Sequence, residues 1–221
     1  MLRLPSIRRF RSAWRLSRRI VGGDPWACVP SEDFAAYFGS GRRHEFTAYL
    51  EGESTIPARS VDDLRDFLAE CRYVSDFDLF RERDHWQHPL TFEHLRKGDC
   101  EDHALWTWRK LKELGHPAHL MVGSSDLLRE APGQHAWVLF EGAGELFLFE
   151  TTEKRRERMV RPLDELRAAY RPHLSVDHQG TMFVYGGFSE FTSEILRRMK
   201  QARAQGPESP SGPPPAPGRV R

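Results

Sequence analysis

The chain has 221 residues, of which 39% are hydrophobic and 11% aromatic, and a formal net charge of +1, long enough for one well-packed domain or two small ones. The near-zero charge gives no global drive toward nucleic acid or an acidic membrane, and fourteen Phe and six Trp exclude a coreless chain. No apolar run approaches the ~20 residues of a spanning helix, and three cysteines, Cys28, Cys71 and Cys100, do not make a disulfide framework.

Residues 1–23 hold seven arginines and no acid. The stretch "SIRRFRSAWRLSRRIVGG" has the charge of a secretory n-region, but no apolar h-region follows it. The expectation is therefore a soluble, cytoplasmic protein. Ile7, Phe10, Trp14 and Ile20 among the arginines read either as a basic amphipathic helix contacting an acidic surface or as a loosely docked arm. One folded domain is expected over 24–203, followed by a Pro/Gly-rich tail, 204–221, that cannot build a core.

Residues 24–59 read as irregular structure with short strands. Ser60 can cap a helix whose buried stripe is Val61, Leu64, Phe67, Leu68 and Cys71, which makes Cys71 a small core residue. In "RKGDCEDHALWTWRKLKELGHPAHLMVG", Asp99 can cap a helix running from Cys100 to Leu114, with Gly115 as its stop. Asp102 stands where a capping-box acid reaches back. Glu101 is expected to project away from the stripe that Cys100 begins. "AHLMVG" reads as a strand, and "HAWVLFEGAGELFLFE" as a hairpin. "RPLDELRAAY" reads as a short helix with Pro162 in its first turn, "TMFVYGGF" as a strand, and "SEFTSEILRRMKQAR" as a final helix.

A cysteine at the first turn of a helix sits among amides without intrahelical partners, at the positive end of the macrodipole. That setting lowers a thiol pKa, and the neighbouring acids oppose it in part. Activation still needs a base. If Gly142–Ala143 are the central turn residues, Leu139 faces Leu146, Trp137 faces Leu148 and His135 faces Glu150. That register leaves a histidine beside a carboxylate at the open end of the hairpin. The apolar other face, Ala136, Val138, Phe140, Phe147 and Phe149, places the hairpin centrally in a covered sheet.

"DHWQHPLTFEHLRKGDCEDHALW", "ELGHPAHLMVG", "QHAWVLF" and "FLFETT" together resemble the transglutaminase-like superfamily, closest to the bacterial transglutaminase-like cysteine proteinases. The resemblance covers roughly residues 60–152. It implies a papain-like α+β fold in which the cysteine-bearing helix packs on an antiparallel sheet. It also implies Cys100 as nucleophile, His135 as general base and Glu150 as the third member, where Asp is commoner. The implied function is cysteine-dependent acyl transfer that cleaves a peptide or side-chain amide of a protein substrate through a thioester. Hydrolysis is favoured over amine transfer. The alternative is an inactive peptide- or partner-binding module.

Other roles are weighed on the same residues. Gln87 or Trp86, with the Cys100 amide, are candidates for an oxyanion pocket. His103, one turn after Cys100, reads as a supporting or surface residue. A zinc site lacks a second Cys-x-x-Cys or His pair, so no cofactor is expected. Calcium is the metal admitted by Asp99, Glu101 and Asp102, acids otherwise read as helix-capping and surface charge; the resemblance supplies a precedent for it.

Overall fold

Ser60 adopts an extended conformation and its hydroxyl accepts the Asp63 N–H at 3.2 Å, so the helix Val61–Glu70 starts where the sequence predicts. Its buried side carries Leu64, Phe67, Leu68 and, just past its end, Cys71. A second helix, Cys100–Glu113, runs almost to Gly115, whose φ of 81° suits a glycine stop. The two helices meet where Phe67 stacks on Trp106, with ring centroids 4.2 Å apart. Phe92, from the helix Pro89–Leu95, joins the same cluster. These coordinates are a computed structural model that describes residues 24–30, 46–82, 84–127 and 134–188. The basic arm, the helix expected after residue 188 and the tail lie outside the described residues.

Seven strands form one antiparallel sheet: β1 (Cys28–Pro30), β4 (Ala118–Ser125), β5 (His135–Gly142), β6 (Glu145–Phe149), β7 (Val160–Pro162), β8 (Tyr170–Asp177) and β9 (Met182–Tyr185). Their order is β1-β9-β8-β4-β5-β6-β7. A separate parallel pair, β2 (Arg72–Tyr73) and β3 (Lys97–Gly98), precedes Cys100. Strand β8 has no clear alternation in sequence because Pro172 interrupts it. The register of β4 on β8 shifts between Val122 and Gly123, and Gly123 pairs with Pro172, so the proline lies at an irregularity where the ladder does not need its N–H. A Cβ on Gly123 would run into the Arg171 carbonyl and the Trp137 ring. That close approach requires glycine.

The hairpin forms with a different turn from the one expected. Ala143 (φ 52°) and Gly144 (φ 80°) are its two central residues, both left-handed as a type I′ turn demands. Leu139 therefore pairs with Leu148, Phe140 with Phe147 and Val138 with Phe149. The expected Leu139–Leu146, Trp137–Leu148 and His135–Glu150 oppositions are displaced by two residues. An even displacement keeps every side chain on its expected face.

Both faces of the sheet are covered. The cysteine helix and its neighbours pack on Ala136, Val138, Phe140 and Phe149. Met121, Trp137, Leu139, Leu148, Leu163, Leu166, Tyr170 and Tyr185 form a second core on the opposite face. Leu163 and Leu166 belong to a four-residue helix, Leu163–Leu166, which Pro162 precedes at the N-cap instead of entering its first turn. Among the described residues, no helix is long and apolar enough to cross a membrane.

Buried His173, on β8, makes the fold acid-sensitive: burial lowers its pKa from 6.5 to about 4. Above pH 6.5 both states leave it neutral. As pH falls from 6.5 toward 4, the unfolded chain takes up a proton that the folded chain refuses, so stability is lost. His173→Phe is expected to retain about 1–3 kcal/mol more of its neutral-pH stability at pH 4 than the parent. Urea unfolding at a series of pH values measures this, and identical acid limbs would rule out a neutral buried His173.

Candidate active site

Cys100 opens its helix and, as a residue, is half-buried. Gly98, two residues before it, makes room for the acids: a Cβ there would collide with the Asp102 carboxylate and the Gln87 amide. Asp102 accepts the Gln87 backbone N–H at 2.8 Å and the Gln87 side-chain amide as well. It does not reach back to cap the helix. Asp99 occupies the N-cap position, but its side chain makes no capping hydrogen bond. The expected capping roles of both acids are thus corrected.

The acids instead gather into one cluster, in which Asp76, Glu101 and Asp102 are buried, Asp99 is half-buried and Asp84 is exposed. Oxygens of Asp76, Asp84 and Glu101 lie within 4.8 Å of one another, as do those of Asp76, Asp99 and Asp102. Glu101 is buried, contrary to its expected outward direction, and accepts the Cys100 thiol at 3.2 Å. Burial and mutual repulsion push the carboxyls of Asp76, Asp99, Glu101 and Asp102 up. Asp76 rises to about 6 and Asp102 to about 8, in each case mainly through burial. Glu101 rises well above the carboxylate range through burial and its contact with Asp99.

Cys100 responds in the direction opposite to the helix-terminus expectation. Burial first, then the charges of Glu101 and Asp99, raise its pKa well above the ordinary thiol value; a hydrogen bond with the Ala136 backbone acts the other way. Desolvation of the sulfur, with acids at close range, outweighs a helix terminus, whose effect is at most ~2 kcal/mol. In this state Cys100 is a thiol.

The Ala136 contact puts the sulfur beside the residue that follows His135. His135 Nε2 lies 3.0 and 2.9 Å from the two Glu150 carboxylate oxygens. Continuing the observed register sets Glu150 diagonal to His135, a longer reach than direct opposition. The glutamate's extra methylene spans the diagonal. Three further hydrogen bonds hold the carboxylate: Tyr170 Oη donates to Oε2 at 2.7 Å, and Oε1 accepts the Thr152 hydroxyl at 2.8 Å and the Thr152 N–H at 3.3 Å. Burial raises the Glu150 pKa, but His135 and these donors outweigh it and the net shift is downward. The Nε2 proton is thereby fixed toward Glu150, which leaves Nδ1 as the basic nitrogen.

Tyr170 and Thr152 were not foreseen. Thr152 follows Glu150 by two residues in "FETT" and was open to an Asx-like reading. Tyr170 needed the position of β8. Both oxyanion candidates are engaged elsewhere: Gln87 Nε2 donates to Lys97 O at 2.9 Å and to Asp102, and Trp86 Nε1 donates to Asp84 at 2.9 Å. They frame the acid cluster and present no donor to Cys100. His103 is fully buried, donates from Nδ1 to Asp99 O at 2.7 Å, and is held neutral with a pKa of about 4, mainly by burial. It is an internal support, not a surface residue.

A cysteine at the head of a helix is laid on an antiparallel sheet that carries a histidine–carboxylate pair, an α+β arrangement. Among solved structures the chain is similar to LapG of Legionella pneumophila, at 19% identity and a TM-score of 0.46, over 87% of this chain and 96% of that one. Calcium-bound LapG from the same organism gives 18% identity and a TM-score of 0.46, over 86% and 98% of the two chains. A TGase gives 13% identity and a TM-score of 0.32, over 67% and 33%. No protein-family model and no curated protein matches the sequence.

Proposed function

We propose that the protein is a cysteine-dependent acyl-transfer enzyme that hydrolyses an amide bond of a protein or peptide substrate. The observation that carries this reading is the buried His135–Glu150 pair, whose free Nδ1 belongs to the residue adjoining the Cys100 contact at Ala136. Cys100 Sγ attacks the carbonyl carbon while His135 Nδ1 takes the thiol proton. The Cys100 N–H, without an intrahelical acceptor, faces the developing oxyanion. Collapse breaks the C–N bond as His135 returns the proton to the leaving amine. Water, deprotonated by His135, then cleaves the thioester and restores the thiol.

The acid cluster fits a hard divalent cation such as calcium. The donors are all carboxylate oxygens, and buried Asp76 has an oxygen without a hydrogen-bond partner among the described residues. Asp76, Asp84, Asp99, Glu101 and Asp102 would hold it. Its charge would draw Glu101 from the thiol and reverse the repulsion that keeps Cys100 protonated. The high thiol pKa also favours a second reading, in which the domain binds a peptide without turning it over.

Iodoacetamide alkylation of the native protein from about pH 5 to 9, mapped by mass spectrometry, separates the two. With calcium, Cys100 is expected to react below about pH 7, ahead of Cys28 and of Cys71, whose burial lifts its pKa to about 12. His135→Ala should slow the reaction. A Cys100 inert until unfolding, with or without calcium, would sink the enzymatic reading and leave the binding module. Equal reactivity in calcium and in chelator would remove the cation from the scheme.

A further inference from the structure

Beside Glu150, a cavity of about 500 Å³ opens to solvent. Its inner wall is Glu150, Thr152 and Tyr170; Arg155, Arg158 and Arg161 stand around it, and Leu127 and Leu166 supply apolar wall. The arginines are not equivalent. Arg155 is bound to Glu153 through Nε at 3.0 Å and Nη2 at 2.8 Å, and Arg161 to Glu165 through Nη2 at 2.7 Å. Arg158, on the short helix Arg156–Met159, makes no ion pair among the described residues.

The acids of the wall are already satisfied. Glu153 is claimed by Arg155, and Glu150 by His135, Tyr170 and Thr152. What the cavity offers a ligand is an unpaired guanidinium next to apolar wall. A guanidinium in that position is complementary to a carboxylate on a short hydrocarbon stem.

We propose that this cavity is a substrate specificity pocket that takes an acidic side chain of the protein substrate, its carboxylate on Arg158 and its stem along Leu127 and Leu166. The proposal rests on the acyl-transfer reading, because the pocket shares Glu150 with the reacting histidine. A substrate residue seated there lies one side chain from the His135 ring, so its charge selects which bonds reach Cys100.

Two measurements on the full chain test this. Phenylglyoxal modification of Arg158, followed by mass spectrometry, reads the pocket without turnover. Acetyl-Ala-Glu-Ala-amide is expected to slow it by about threefold or more at millimolar concentration, and acetyl-Ala-Gln-Ala-amide to leave it unchanged. Equal effects of the two peptides, or none, would overturn the pocket. Protection by free glutarate as strong as by the Glu peptide would reassign it to a small anion and also overturn the proposal. The second measurement is cleavage of a proteome-derived peptide library in calcium. Cleaved bonds should be enriched in Asp or Glu at one subsite by about fivefold, and Arg158→Glu should shift that subsite toward Lys and Arg. Cleavage without acidic preference overturns the pocket while the enzyme stands. Selective protection of Arg158 by the Glu peptide without any cleavage supports the pocket and counts against the acyl-transfer reading alone.

Discussion

Cys100→Ala is expected to lower kcat/KM on a cleaved peptide by at least about 10⁴-fold while leaving the melting temperature near that of the parent, and His135→Ala by a similar factor. The more informative change is at Glu150. In Glu150→Gln the two Thr152 donors would hold the amide oxygen at the Oε1 position and leave the NH₂ at the Oε2 position, facing His135 Nε2 and Tyr170 Oη. The imidazole proton would then move to Nδ1, the nitrogen that receives the thiol proton in the proposed mechanism, and about 10³–10⁴ in kcat should be lost. Glu150→Asp installs the residue commoner among transglutaminase-like proteins, yet it should cost about 10²-fold, because the shorter side chain no longer spans the diagonal to His135. Wild-type rates in Glu150→Asp would refute the diagonal geometry.

The largest expected effect on stability lies behind Cys100. Lys110, in the middle of the cysteine helix, is fully buried; its ammonium donates to Ser54, to Ile56 O at 2.7 Å and to Glu113 at 2.8 Å, and lies 3.5 Å from Glu93. Glu93 in turn accepts from Ser54, from Thr55 N at 3.2 Å and from Trp106 Nε1 at 3.1 Å. Arg109 ties the same loop to the helix through the carbonyls of Glu51, at 2.5 Å, and Gly52, at 2.6 Å. Removing Glu93 leaves the buried Lys110 with the more exposed Glu113 as its one carboxylate among the described residues, and leaves the Thr55 and Trp106 donors without their acceptor. Glu93→Ala is expected to cost about 3–5 kcal/mol, a fall of about 10 °C in Tm. The double variant Glu93→Leu/Lys110→Met should recover part of that loss. A Glu93→Ala protein within about 1 kcal/mol of the parent would mean that the pair contributes little.

The sequence was informative where one physical signal dominated. Ser60 before an amphipathic run, Cys71 on its stripe and Gly115 after another run each marked an element that formed as read. Alternation in "HAWVLF" and "FLF" located the hairpin, but "EGAGE" contains two glycines, and only the left-handed Ala143 and Gly144 decide its register. The acids around Cys100 were misread because capping is a local rule and their clustering is not: Asp76 and Asp84 come from a different stretch, more than a dozen residues upstream. Tyr170 escaped for a similar reason, since β8 reaches Glu150 only through the folded sheet. Long-range burial also reversed the expected sign of the Cys100 shift.

The division of the candidate site between the two layers flanking the sheet has a consequence for how such a protein diverges. Cys100 and its acids belong to the helical layer, whereas Glu150, Tyr170 and the arginine-lined cavity belong to the opposite one. His135, at the start of a central strand, is the hinge pin between them. Substitutions in the outer layer can therefore retune substrate choice or the basicity of the imidazole without disturbing the packing around the sulfur. Changes near the acids can adjust the Cys100 thiol while the proposed pocket stays as it is. A lineage can thus explore new targets and new triggers along separate mutational routes.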